Sequence, residues 1–219
     1  MTDSPRELAI FPLGSVLFPG MPLPLRVFEP RYVAMIASVL GNAEREFGVV
    51  LIERGSEVGG GDVRFRIGTV ARVISVERSD ESIMVVSTGR ARFEVLSWLP
   101  DDPFPRALVR QLPSLAFDPA TPAEITRAEA IVRATIARAS EFIELRWPAD
   151  IELSSDPVQR IWQVAGIAPL VALDQYALLR SPTATGLLTR LVADTQAADV
   201  LFTSGWSGEL PDEDGDSPA

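Results

Sequence analysis

Three residue types are missing from this 219-residue sequence: it has no Cys, no His and no Lys, so all 20 basic residues are Arg. Without Cys there are no disulfides, no thiolate nucleophiles and no thiolate metal sites. Without His there is no imidazole to act as a base near neutral pH or to ligate a metal. Without Lys there is no Schiff base, no Ser-Lys dyad and no lysine for a phosphate-binding loop. Carboxylates, hydroxyls and guanidinium groups remain, a narrow base for catalysis. The chain therefore reads as a non-enzyme, with no metal and no cofactor expected. Ser15 lies outside any G-x-S-x-G elbow. The adjacent pairs Asp80-Glu81 and Asp101-Asp102 sit in polar turns, where solvation keeps both members ionised.

Positive charge is also in deficit, with a net charge of −10, although Glu209, Asp212, Glu213, Asp214 and Asp216 concentrate five of the negatives near the C-terminus. Phosphate recognition needs a concentrated basic surface, and aromatic residues make up only 7% of the chain. Nucleic acid is not the expected partner. The first residues lack the basic start and apolar stretch of a signal peptide. Leu8 to Leu25 is uncharged for 18 residues, yet it contains Pro12, Pro19, Pro22, Pro24, Gly14 and Gly20. No single helix tolerates that, so no membrane partner is expected and the cytoplasm is the expected location.

What is present is a globular composition, 47% hydrophobic and 23% charged, in two styles. Residues 7 to about 111 read mainly as strands: Glu7–Phe11, Pro24–Phe28, Phe47–Ile52, Arg64–Val76, Ile83–Ser87, Phe93–Trp98 and Ala107–Leu112. Gly68 marks a bulge in the long Arg64–Val76 run, Ser79–Ser82 is a hairpin turn, and Gly59-Gly60-Gly61 is a loop. One helix, Pro30–Leu40, interrupts the strands. From residue 120 the period becomes helical. Thr121-Pro122-Ala123-Glu124 is a capping box, and Ile125, Ala128, Val132, Ile136, Ala139 and Ile143 form one apolar stripe. Further helix starts appear at Asp156-Pro157, Asp174 and Ser181-Pro182. The expected fold class is α+β. A β-rich barrel lobe occupies residues 1–112, a linker 113–120, a helical bundle lobe 121–204 and a disordered acidic tail 205–219.

The most distinctive stretch runs Phe11-Pro-Leu-Gly-Ser-Val-Leu-Phe-Pro-Gly20 and continues Met-Pro-Leu-Pro-Leu-Arg-Val-Phe-Glu-Pro-Arg-Tyr32. It resembles the opening of the Lon protease N-terminal (substrate-binding) domain, in the free-standing bacterial form that lacks the ATPase and protease domains. Phe47-Gly-Val-Val50, Ile67-Gly-Thr-Val-Ala-Arg72 and a Gly89-Arg-Ala-Arg-Phe93 turn resemble later motifs of that family. Asp174-Gln175, Leu178-Leu179, Leu187 and Arg190-Leu191 are similar to its bundle. The resemblance spans roughly residues 7 to 200. It implies a pseudo-barrel of about six strands with one inserted helix, like the pseudouridine-synthase-and-archaeosine-transglycosylase (PUA) barrel, followed by a helical bundle. In full-length Lon proteases this region helps select unfolded or tagged substrates. The present sequence has neither a G-x-x-x-x-G-K-[ST] loop nor a Ser-Lys dyad, so it resembles the recognition part alone.

The resemblance thus implies an adaptor that binds unfolded or apolar segments of other polypeptides, in association with a protease system. The expected partner-binding residues are Phe28, Glu29, Arg31, Tyr32, Arg92 and Phe93, in a groove near the barrel–bundle junction. Several motif residues also have a role in the fold. Pro12, Pro19 and Gly20 set turns, Phe11, Leu17, Phe18 and Phe28 suit the core, Glu29 suits the start of the helix, and Trp147 and Trp162 suit bundle anchors. Two other readings stay open: a barrel that binds a small molecule, and an RNA-binding module, which would need a continuous face of Arg64, Arg66 and Arg72.

Overall fold

The structure is a computed structural model that describes residues 4–54, 63–78, 82–117 and 121–203. The expected loop at Gly59–Gly61, the turn at residues 79–81, the side chain of Thr121 in the capping box and the tail 205–219 lie outside the described residues. Six strands come first: β1 (Arg6–Leu13), β2 (Pro22–Val27), β3 (Glu46–Arg54), β4 (Val63–Arg78), β5 (Ile83–Leu99) and β6 (Arg106–Gln111), with α1 (Pro30–Leu40) between β2 and β3. Four helices follow: α2 (Thr121–Ala139), α3 (Pro157–Ile167), α4 (Ala172–Leu179) and α5 (Ala184–Thr203).

The strands close on themselves. β1 pairs parallel with β3 and antiparallel with β6, β3 pairs with β4, and β4 pairs with β5. The second half of β5 returns to β6 and completes a ring, while β2 lies outside it along the first half of β5. Every ring strand contributes to one interior cluster: Leu8 and Ile10 from β1, Val50 from β3, Val70 from β4, Phe93 and Val95 from β5, and Ala107 and Val109 from β6. Closure leaves the ring without an unpaired edge, and its interior is filled by side chains.

β5 differs from the sequence expectation. Gly89–Phe93 is the middle of one 17-residue strand and does not separate two short ones. Gly89 is required for close approach: a Cβ there would stand 2.2 Å from the Phe18 carbonyl oxygen. Its N–H donates to the Met21 carbonyl and its own carbonyl accepts from the Gly20 N–H, both at 2.9 Å. The Phe18–Met21 segment is thereby fastened to β5 at the point where β2 begins. Gly68 meets a similar constraint, since its Cβ would lie 2.2 Å from the Val49 carbonyl oxygen, and the register of β3 against β4 shifts next to it.

A second, larger core joins the outside of the barrel to the helices. Met21, Leu23, Leu25, Tyr32, Ile36 and Phe47 belong to the same buried cluster as Val132, Ile161, Leu178 and Leu187. The segment after β6 takes part: Leu115 is buried, and Ala116 bridges to Thr183, with its carbonyl accepting from the Ala184 N–H at 2.9 Å.

The helix starts largely follow the sequence. Asp156 caps α3 by accepting from the Gln159 N–H at 2.8 Å, with Pro157 as the first helical residue. α4 begins two residues before Asp174, which sits in its first turn. α5 is capped by Thr183, whose hydroxyl accepts from the Gly186 N–H at 3.2 Å, so the start lies just beyond Ser181-Pro182. α2 ends at Ala139, which leaves Ile143 past its end and exposed, outside the buried stripe.

Candidate functional site

The six residues singled out in the sequence do not form one surface. Tyr32, on α1, is only 3% exposed and stacks on Phe11 with ring centroids 4.2 Å apart. Phe93 fills the barrel interior and has no surface to offer a partner. Arg92 is also buried. Its guanidinium donates to the carbonyl oxygens of Leu179 (2.8 Å), Ser181 (2.7 Å) and Pro113 (2.9 Å), and lies 4.9 Å from the centroid of the Trp162 ring. Burial lowers its pKa from the usual guanidinium value. Arg92 thus clasps the end of α4 and the segment after β6 to the barrel.

Glu29 and Arg31 pair with each other at 3.0 Å, and the Arg31 guanidinium sits 4.5 Å from the centroid of the Tyr32 ring. Glu29 occupies the residue before α1 but makes no side-chain cap. Phe28, expected in the core, is 58% exposed. The alternation of β2 explains this: Leu23, Leu25 and Val27 face inward while Pro22, Pro24 and Arg26 are exposed, and Phe28 continues the outward row.

That row belongs to an outer face with several exposed apolar side chains, on which Arg26 and Glu77 flank Met84. β2 pairs with β5 so that Pro24 lies opposite Val86 and Arg26 opposite Met84. Met84 is 39% exposed and Val86 38%, and Ile74, at a register shift in β4, is 61% exposed. Sequence reasoning missed Met84, Val86 and Ile74. The signal was available in Ile83-Met-Val-Val86, which is apolar in both phases of a two-residue period. Such a strand must either be covered on both sides or expose one apolar row. β2 is an edge strand, and Pro22 and Pro24 fit its antiparallel ladder only with their nitrogens turned away from β5. The open edge of β2 therefore lacks N–H groups at both positions, which discourages strand addition there. What this region offers a partner is its face.

Next to that face, between the barrel and α3, is a cleft of about 510 Å³. Thr88, Arg90, Arg72, Gln111, Ser114 and Gln159 are among its lining residues. Sequence reasoning expected a groove at this junction lined by Phe28–Tyr32, Gly89–Phe93 and the first bundle helix. The structure has Gly89–Arg92 and α3 there instead. The arginines named for a nucleic-acid face are individually engaged: Arg64 with Asp101, Arg66 with the Val95 and Leu96 carbonyls, and Arg72 with Glu46. Among the described residues, no helix is long and apolar enough to cross a membrane.

A closed barrel with an outlying strand, an inserted helix and an appended helical bundle defines an α+β domain whose accessible features are an apolar face and a polar cleft. The family model for the ATP-dependent protease La (LON) substrate-binding domain matches residues 7–193, and the chain belongs to that family. It is 31% identical over 174 residues to a Lon protease of Anaeromyxobacter dehalogenans, an alignment that covers 78% of this chain and 20% of the relative. A Lon protease of Magnetococcus marinus is 38% identical over 96 residues, 42% of this chain and 12% of the relative. The chain therefore matches about a fifth or less of the length of these relatives. In fold it is similar to a Lon N-terminal domain protein from Xanthomonas campestris, with a TM-score of 0.61, 24% identity, and 86% of this chain and 98% of that chain covered. It is also similar to the N-terminal domain of a Mycobacterium avium complex Lon protease, with a TM-score of 0.65, 15% identity, and 87% and 98% covered.

Proposed function

We propose that this chain is a non-catalytic recognition module that holds unfolded or apolar polypeptide segments and acts with a protease system in the cytoplasm. The observation that carries the reading is the exposed row of Phe28, Met84 and Val86, with Ile74 beside it, on the outer face of β2, β5 and β4. Clustered exposed apolar side chains on a folded surface mark interaction sites. Membership in a substrate-binding family supports polypeptide as the occupant. The filled barrel interior speaks against a small ligand held inside the ring.

Binding of this kind buries apolar side chains and must order a flexible client, so micromolar dissociation constants, on the order of 1–100 µM, are expected. The experiment is a titration of a fluorescent, apolar, unstructured peptide against wild type, Phe28→Ser and Met84→Ser. Each substitution should weaken binding severalfold while leaving the melting temperature almost unchanged, because both side chains are exposed. Unchanged affinity in both variants, with wild type binding, would remove this face from the account.

A further inference from the structure

The outer face of β5 leads into the cleft. On β5 the outward residues are Met84 and Val86, then Thr88 and Arg90, which both line the cleft, Arg90 standing where the register against β4 shifts between Gly89 and Arg92. Alternate residues of an extended strand are separated by roughly 6.5–7 Å, so Val86 and Arg90 lie about 13 Å apart along the strand.

The cleft is cationic. It is lined by Arg6, Arg72, Arg90 and Arg92 against the carboxylates of Glu46 and Asp156. Most of these groups are committed. Glu46 is shared between Arg6 and Arg72, Arg6 also reaches Glu44, Arg92 is clasped to backbone carbonyls, and Asp156 caps α3. Arg90 is exposed and, among the described residues, has no ion-pair or hydrogen-bond partner. It is an uncompensated cation at the cleft end of the row, while Arg26, opposite Met84, donates to the Ser82 hydroxyl at 3.2 Å.

The geometry points to bipartite recognition: the surface selects extended polypeptide segments that carry an acidic side chain about four residues from an apolar one. The apolar residue rests on Val86 and Met84, and the carboxylate reaches Arg90 at the mouth of the cleft. This inference rests on the polypeptide-binding reading above and adds its specificity determinant. An extended segment advances by about the same rise per residue as β5, so a spacing of four residues matches the distance from Val86 to Arg90. Charge supplies the discrimination, since an acidic side chain placed at Arg90 meets a guanidinium that no carboxylate opposes.

The test uses the full chain and labelled peptides with one Leu-Val-Leu block and neutral polar spacers. Asp, Asn or Lys is placed four residues after the block or four residues before it. For at least one placement, wild type should bind the Asp peptide about two- to fivefold more tightly than the Asn peptide, the scale of an exposed ion pair. Arg90→Ala should abolish that preference without weakening the Asn peptide, and Arg90→Glu should turn it toward Lys. Half-molar salt should remove the Asp preference and leave apolar binding in place. If Asp and Asn peptides bind wild type equally in both placements, the inference is overturned and the apolar reading stands. An Asp preference that persists in Arg90→Ala also overturns it. If no peptide binds wild type, both fall.

Discussion

Arg92 on β5 donates a hydrogen bond of 2.7 Å to the carbonyl oxygen of Ser181, 89 residues away and just beyond α4. With its further bonds to Leu179 and Pro113, one guanidinium satisfies three backbone carbonyls. Arg92→Ala should therefore cost about 2–4 kcal/mol, from the lost charge-assisted bonds and the unsatisfied acceptors. Arg92→Lys should recover only part of this, because an ammonium lacks the planar fork that spans the three oxygens. Urea denaturation midpoints of the two variants check both statements.

The barrel and the bundle share a buried cluster, so we expect them to unfold together. Circular dichroism, which follows the helices, and the fluorescence of Trp98 in β5, read in a variant whose other three Trp are replaced by Phe, should give coincident denaturation curves. Two separated transitions would mean that the shared core couples the halves only weakly.

Tyr32 and Phe28 stand four residues apart in the same motif and should behave oppositely. Tyr32→Ala empties a buried site stacked on Phe11 and should destabilise the protein by about 3–5 kcal/mol. Phe28→Ser should change stability by less than about 0.5 kcal/mol, as exposed substitutions usually do, while weakening peptide binding. Thermal melts paired with peptide titration separate the two roles.

The sequence made the strands and helix starts readable because they are written locally. The Arg64–Val76 alternation marked β4, Pro30 opened α1, and Asp156-Pro157 opened α3. The continuity of β5 was hidden because a glycine that admits the Phe18 carbonyl looks the same in sequence as a glycine that turns the chain. The site was less legible for a related reason. Tyr32, Arg92 and Phe93 are of types common in binding surfaces, and what buries them comes from Phe11, from Leu179 and Ser181, and from the far strands of the ring. No local pattern reports such distant partners. Met84 and Val86 were not singled out because Ile83–Val86 is apolar in both phases of the strand period, and the sequence does not tell which row is left exposed.

Glu129 on α2 should make part of the stability pH-dependent. Burial raises its pKa, but hydrogen bonds and the charges of Arg133 and Arg160 outweigh burial and hold it below the ordinary carboxylate value. A carboxylate with a depressed folded-state pKa adds stability above its unfolded pKa of about 4.3, and this is lost as pH falls through the lower folded value. Glu129→Gln should thus cost about 1–2 kcal/mol at pH 7, and the gap to wild type should close as pH is lowered from about 5 to 3. A gap that stayed constant over that window would show that packing, and not charge, is what Glu129 supplies.

The central claim is that polypeptide clients lie on the outer face of β2, β5 and β4. Amide chemical-shift mapping with a permanently unfolded, chemically reduced client tests it most directly. The account predicts shifts concentrated at Leu25–Phe28, Ile74 and Ile83–Thr88, with the α2 and α5 amides unmoved. Shifts concentrated on α2 and α5 instead, with the β2–β5 face silent, would contradict it.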